Sequence, residues 1–375
     1  MLEFHADTAE AGLSTSLAFS LTNTGQQPVH FLYWKTVFDP VCPAGLVLEA
    51  DGRDAASYRG PRAKYRFDPR VSLVTLAPGA TVRAIVNVSE NYMLAADGTY
   101  EVRLREDAIR GIVGELPADL APCKFKGLSV AQRPGRHRLT AVDNHHLLPP
   151  AAPVEPFIPP HCQVPLCMDN GYYEEPVVCV MGKAVYAQAR VEKATPAQQA
   201  IVRAAIERLF QRTVGPGRPP LDVKDDATYR RWFGAYTPEL ATRVRHAIGG
   251  IQGQAVCKRF VIYVVAQGPK PDTIAFFQKS DTPGRYDLMA LCPPYFAEGE
   301  SGKDSRAGTL AHELSHGYSG TDDHDYGVEC CQRLARLRPD LAVANADSLQ
   351  YYLEDTVLSL VDEEAGSAAQ DSARG

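Results

Sequence analysis

The segment His312-Glu313-Leu314-Ser315-His316 places two potential metal ligands and one potential base within five positions. On a helix, residues i and i+4 share a face, so both imidazoles reach one ion. Glu313 then stands beside the ion, placed to act on a water as general base. The competing reading is a solvated helix face carrying two unrelated histidines. Two histidines leave a catalytic zinc short of a third protein ligand, with one position kept open for chemistry. One class of zinc hydrolase needs Gly three residues after the second histidine and His six after it. Here those positions hold Ser319 and Asp322. Glu329, on a later helix, is one carboxylate within range. The other source is the return of the chain itself. Gly317 and Gly320 are expected to stop the helix, and Asp322, Asp323 and Asp325 follow on the turn.

Positioning such a site requires a helix inside a packed core, and the 375 residues suffice for two cores. The first part reads as strands. Leu17, Phe19 and Leu21 alternate before Asn23-Thr24-Gly25; Phe31–Trp34, Leu46–Leu48, Leu73–Leu76, Val82–Val88 and Tyr100–Leu104 follow, punctuated by Asp51-Gly52, Pro78-Gly79 and Asp97-Gly98. This spacing predicts an all-β, Ig-like sandwich over 1–146. Residues 147–190 open with Leu-Leu-Pro-Pro-Ala-Ala-Pro-Val-Glu-Pro-Phe-Ile-Pro-Pro and read as a proline-stiffened linker and connecting segment. Over 191–365 helical periods and strands mix, as an α+β domain requires. Thr195-Pro196 with Gln198 is a capping box, and Val202, Ala205, Ile206 and Leu209 form its stripe. Thr237-Pro238 opens a second helix, and Ser305 or Asp304 caps the one that carries the histidines. Strands are predicted near 260–265, 273–277 and 286–291, and helices near 327–337 and 347–360. Residues 366–375 read as a disordered tail.

The residues after the histidines, Gly320-Thr321-Asp322-Asp323-His324-Asp325-Tyr326-Gly327, fit the pattern GTxDxxYG. With the HExxH, this resembles the aspzincins, the deuterolysin and peptidyl-Lys metalloendopeptidase family. Trp232-Phe233-Gly234, Asp304 to Leu310 and Asn345-Ala346-Asp347 look similar as well, so the resemblance covers about 195–360. It implies a zincin-like peptidase domain with one zinc per chain, bound by His312, His316 and Asp323, and Glu313 as general base. It also implies Tyr326 as donor to the developing oxyanion. The strand-rich half resembles the β-rich propeptide ahead of the peptidase in bacterial members, which implies a secreted zymogen inhibited by its own N-terminal domain and freed by cutting at Lys183 or Lys193. The loop from His316 to Asp323 is shorter than in the fungal peptidyl-Lys enzymes. In lysine-specific relatives an Asp and an acidic residue three positions on receive the lysine after the cut. Asp347 matches the first, and Gln350 stands at the second. Asp347 with Gln350 also reads as a capping box of the last helix.

Of nine cysteines, Cys257 and Cys292 match positions bridged in the family. Cys42 is paired with Cys123 by guess, and the adjacent Cys330 and Cys331 read as buried small residues. Cys123-Lys124-Phe125-Lys126 is a second candidate for a blocking group, set against an ordinary surface loop. Net charge is -6 with no long basic run, so nucleic acid is not an expected partner, and no apolar stretch is long enough to span a membrane. No signal peptide is visible at the start. The expected partner is a protein or peptide substrate. Two other readings stay open on the residues alone: a binding protein with a structural zinc, and a zinc amidase acting on a non-protein substrate.

Overall fold

The computed structural model describes residues 1–8, 14–133, 135–142, 178–180, 183–185, 188–214, 221–257, 259–279 and 287–358. The linker expected at 147–160, Lys183's surroundings and the tail at 366–375 lie wholly or largely outside them.

The N-terminal region is β-rich. One sheet runs in the order Val130–Gln132, Leu2–Thr8, Ser16–Asn23, Thr81–Asn87, and a second in the order Gly135–Leu139, Gly98–Leu104, Leu46–Ala50, Arg53–Asp54. Ser16–Asn23 alternates buried and half-buried positions along its whole length, as a strand with one face on a core must. Phe4, Leu17, Phe19, Leu21, Leu48, Val102 and Leu104 from both sheets enter one core. A third sheet orders Lys126–Gly127, Arg110–Val113, Val29–Leu32 and Leu73–Leu76.

The C-terminal region is α+β. Helix Pro196–Val214 begins with the reciprocal capping box: Gln198 N–H donates to Thr195 Oγ1, and Thr195 N–H to Gln198 Oε1. Its stripe Val202, Ala205, Ile206, Leu209 is buried. Helix Arg306–Tyr318 is capped by Ser305, whose Oγ accepts from Gly308 N–H. It packs among helices Pro196–Val214, Pro238–Cys257 and Ala346–Leu353 and against strand Thr273–Gln278. Gly317 does not stop this helix. A Cβ there would stand 2.4 Å from the Phe277 ring, so glycine lets helix and strand approach. The chain turns at Gly320, where φ is +66°.

The two regions share a sheet. Its order is Gln188–Glu192, Arg259–Val264, Asp287–Leu291, Thr273–Gln278, and last Arg62–Tyr65 from the N-terminal region. This last strand, unforeseen in the sequence, runs antiparallel to Thr273–Gln278, with Phe276 opposite Ala63 and Ala275 opposite Lys64. Without it Thr273–Gln278 would be an open edge, the kind of strand to which an extended peptide adds.

A buried carboxylate fastens the contact. Asp272, in the turn before that edge strand, accepts from Tyr33 OH (2.6 Å), Trp34 Nε1 (2.9 Å) and Ser72 Oγ (2.6 Å), all from the N-terminal region. Beside it Trp34, Tyr65 and Tyr326 pack ring to ring at 5.0–5.8 Å. The disulfide Cys123–Cys330 adds a covalent tie to helix Val328–Leu337. Cys123 therefore does not pair with Cys42, which is a buried thiol. Cys292 is likewise a free, buried thiol; the side chain of Cys257, its expected partner, lies outside the described residues. Replacing Asp272 by Ala strands three buried donors, so Asp272→Ala should destabilise the chain by roughly 3 kcal/mol or more. A fall in the denaturant midpoint of the full chain checks this, and Asp272→Asn should recover part of the loss.

Candidate active site

His312 and His316 project from one face of their helix, and their Nε2 atoms are 3.2 Å apart. Asp323 Oδ1 is 3.1 Å from the first and 3.3 Å from the second. All three side chains are buried, and neither Asp323 oxygen makes a well-formed hydrogen bond. A tetrahedral ion with ligands at about 2.0–2.1 Å separates them by roughly 3.3 Å, so this triangle fits zinc. Each ring is held from behind. His316 Nδ1 is 3.1 Å from the Thr321 carbonyl, and His312 Nδ1 is 2.8 Å from Asp347 Oδ1. The His316 contact is a hydrogen bond and the His312 contact a close approach to a carboxylate oxygen; both favour the proton on Nδ1 and leave Nε2 as the lone pair a metal requires. Burial pulls the His312 imidazole down, but Asp323 and Asp347 outweigh it and raise its pKa to about 9. Burial likewise opposes ionisation of Asp323, yet the two histidines hold it well below the usual carboxylate range.

The loop carrying Asp323 is clamped by the segment before the last helix. Asp322 N–H donates to Ala344 O, and Ala346 N–H to Asp322 O. Asn345 Oδ1 accepts from the N–H groups of His324 and Asp325. Asn345, not Asp347, stands at the N-cap of helix Ala346–Leu353, so the capping box with Gln350 is not formed. Asp347 uses its oxygens elsewhere: besides His312, Oδ2 accepts from Gly327 N–H at 2.8 Å. Of the two neighbouring turn carboxylates, which read as solvated turn residues, Asp322 stays half-exposed and Asp325 does not. Asp322 accepts from Lys35 Nζ at 2.8 Å, and Asp325 is buried.

Glu313 is fully buried, and neither of its oxygens has a well-formed hydrogen bond. Burial pushes its carboxyl up to about 8, while His312, the Lys64 ammonium and the Lys64 backbone N–H pull the other way. The Ala63–Lys64 peptide lies against these groups. Tyr326 OH donates to Ala63 O at 2.8 Å, and burial, then Asp323, keeps this phenol protonated well above its ordinary range. The Lys64 side chain, 1% exposed, reaches Asp347 Oδ1 at 2.8 Å and Asp304 Oδ1 at 3.1 Å. Burial disfavours its charge, but these carboxylates raise its pKa well above the lysine norm.

The structure thus brings together His312, Glu313, His316, Asp323, Tyr326 and Asp347, as the sequence motifs anticipate. Ala63, Lys64 and Asp304 were missed, and nothing local marks Arg62-Ala63-Lys64-Tyr65. The Cys123–Lys126 segment supplies no blocking group: Cys123 is bridged, and Lys124 pairs with Asp119. Among the described residues the side chains grouped closely enough to share an ion are His312, Glu313 and His316, which Asp323 joins through its 3.1 and 3.3 Å approaches to the two rings; Glu329 makes no such approach.

Comparison with known proteins gives a family match, described as lysine-specific metallo-endopeptidase, over residues 221–354. A peptidyl-Lys metalloendopeptidase of Pleurotus ostreatus is 44% identical over 129 residues, 34% of this chain and 73% of that one. An extracellular protease of Aeromonas hydrophila is 26% identical over 345 residues, 90% of this chain and 87% of that one. A peptidyl-Lys metalloendopeptidase of Grifola frondosa is 33% identical over 130 residues, 34% of this chain and 35% of that one.

Asp323→Ala removes one corner of the triangle and should weaken zinc binding at least about tenfold, whereas Glu313→Gln should leave stoichiometric zinc. Competition against a chromogenic chelator separates the two. Comparable zinc loss in both variants would mean that Glu313 is itself a ligand.

Proposed function

Because the chain belongs to the aspzincin family of zinc-dependent metalloendopeptidases, we propose that it cuts proteins on the amino side of lysine and is held latent by its own Ala63–Lys64 segment. The observation that carries this reading is the Lys64 ammonium between Asp347 and Asp304, with Ala63 O on Tyr326. A substrate adding to the Thr273–Gln278 edge in the same register would present its own Xaa-Lys bond to the same groups.

In this reading His312, His316 and Asp323 hold zinc, which would supply Lewis acidity at the scissile carbonyl. Glu313 takes the proton of the attacking water and passes it to the leaving amine. Tyr326 holds the carbonyl oxygen as charge develops on it. Asp347 orients His312 and receives part of the lysine charge.

Residues 1–146 act as the cover. Joined to the peptidase region in one chain, they sit at high effective concentration over the cleft. The Ala63–Lys64 bond is also gripped on both flanks: ahead of it Pro61 O accepts from Tyr58 OH and Arg62 pairs with Phe277 in the sheet, and behind it Tyr65 OH donates to Asp39 and Arg66 N–H to Asp272 O. Cut ends held this way cannot diffuse apart, which makes the segment a poor substrate. Cleavage in 147–190 would not release the cover either, since Cys123–Cys330 still ties the halves. Export to an oxidising compartment is supported by that bridge and by the extracellular Aeromonas relative.

Casein digestion with and without a chelator, with mass spectrometry of all fragments, tests the reading. Cuts should cluster before lysine, stop on chelation and be absent in Glu313→Gln. Fragments with no lysine bias would refute the specificity. Lys64→Ala removes one side of a buried ion pair worth roughly 3–5 kcal/mol, so the uncut variant should be on the order of a hundredfold more active than the uncut parent. After limited proteolysis the two halves should co-migrate on gels until a thiol is added.

A further inference from the structure

We propose that Asp304 is a specificity-determining residue, the second carboxylate that reads the lysine ammonium; this rests on the lysine-directed reading above. Four carboxylates surround the Lys64 ammonium closely enough to stabilise its charge: Asp347, Asp304, Glu298 and Glu354. Two of them are taken. Glu298 accepts from Thr309 Oγ1 at 2.8 Å and pairs with Arg66 at 3.3 Å. Glu354 Oε1 accepts from both the N–H and the hydroxyl of Ser305. Asp347 is shared, because the same Oδ1 that meets Lys64 lies 2.8 Å from His312 Nδ1. Asp304 makes no contact with either histidine among the described residues, and its Oδ1 faces the ammonium at 3.1 Å.

Its position does not depend on the lysine. Oδ1 accepts from Tyr351 OH at 3.0 Å and from Gln350 Nε2 at 3.3 Å, and the Asp304 N–H donates to Glu354 Oε2 at 3.2 Å. Gln350 therefore serves Asp304 with its amide. A carboxylate there would repel Asp304, whereas an amide donates to it. The ammonium is clasped between oxygens at 2.8 and 3.1 Å, with the Tyr351 ring 5.8 Å away. Such a clasp suits a compact point charge better than a planar guanidinium.

The backbone at Asp304 has φ +52°, a left-handed conformation that asparagine also tolerates. Asp304→Asn thus removes the charge while keeping shape and fold. The full chain, activated by limited proteolysis and a thiol, would be assayed on matched peptides carrying Lys, Arg or norleucine after the cut. In Asp304→Asn the Lys-to-norleucine ratio of kcat/KM should fall about tenfold, mainly through KM, with zinc content unchanged. The uncut variant should be less latent than the parent, because Lys64 loses the same partner; gain before cutting with loss after it is not what a structural defect produces. Asp347→Asn should instead also lower zinc affinity. An unchanged ratio in Asp304→Asn, beside a parent that prefers lysine, overturns the proposal and leaves the lysine reading intact. So does an equal fall on all three peptides. A parent with no preference overturns the lysine reading itself.

Discussion

A lysine ammonium taken out of water must be met by negative charge, and the arrangement of this protein follows from where Lys64 meets it. Its Nζ lies in the floor of the cleft, between Asp347 and Asp304. Burying such a pair costs several kcal/mol of desolvation per ion, recovered only when the geometry is good. The geometry is good because both partners of the pair are fixed in advance. Lys64 is held in register by pairing with strand Thr273–Gln278, and the carboxylates are held by Gly327, Tyr351 and Gln350. The same pairing places the Ala63 carbonyl on Tyr326.

Asp347 joins the two halves of the site. One oxygen faces both the lysine and His312, and the other holds Gly327 at the end of the loop that carries Asp323. The contacts to the Lys64 ammonium and to the His312 ring thus run through one side chain. Asn345, two residues earlier, secures the Asp323 loop from the other side. The short segment Asn345-Ala346-Asp347 therefore organises a site whose chemistry lies on other elements.

What the sequence reveals here is what local spacing encodes. The histidines and Glu313 share a turn of helix, Thr195 with Gln198 makes its capping box, and the alternating strands of the N-terminal region bury their apolar faces. The Asp323 and Tyr326 positions are legible because their loop is a motif. The edge strand is not: Arg62-Ala63-Lys64-Tyr65 lacks clean alternation, and its partner lies about 210 residues away. Long-range pairing of this kind leaves no periodic trace. The bridge from Cys330 is hidden for a related reason. Adjacent residues on a helix point about 100° apart, so Cys331 enters the peptidase core while Cys330 faces Cys123 in the other region.

The central claim is that latency and lysine recognition use one pocket. Amine-reactive labelling of the full chain, mapped by mass spectrometry, tests it most directly. While the chain is uncut and inactive, Lys64 should resist modification and exposed Lys126 should label freely; as limited proteolysis and a thiol release activity, Lys64 should become reactive in proportion. Lys64 labelling as fast as Lys126 in the inactive chain, or full activity with Lys64 still protected, would contradict the account.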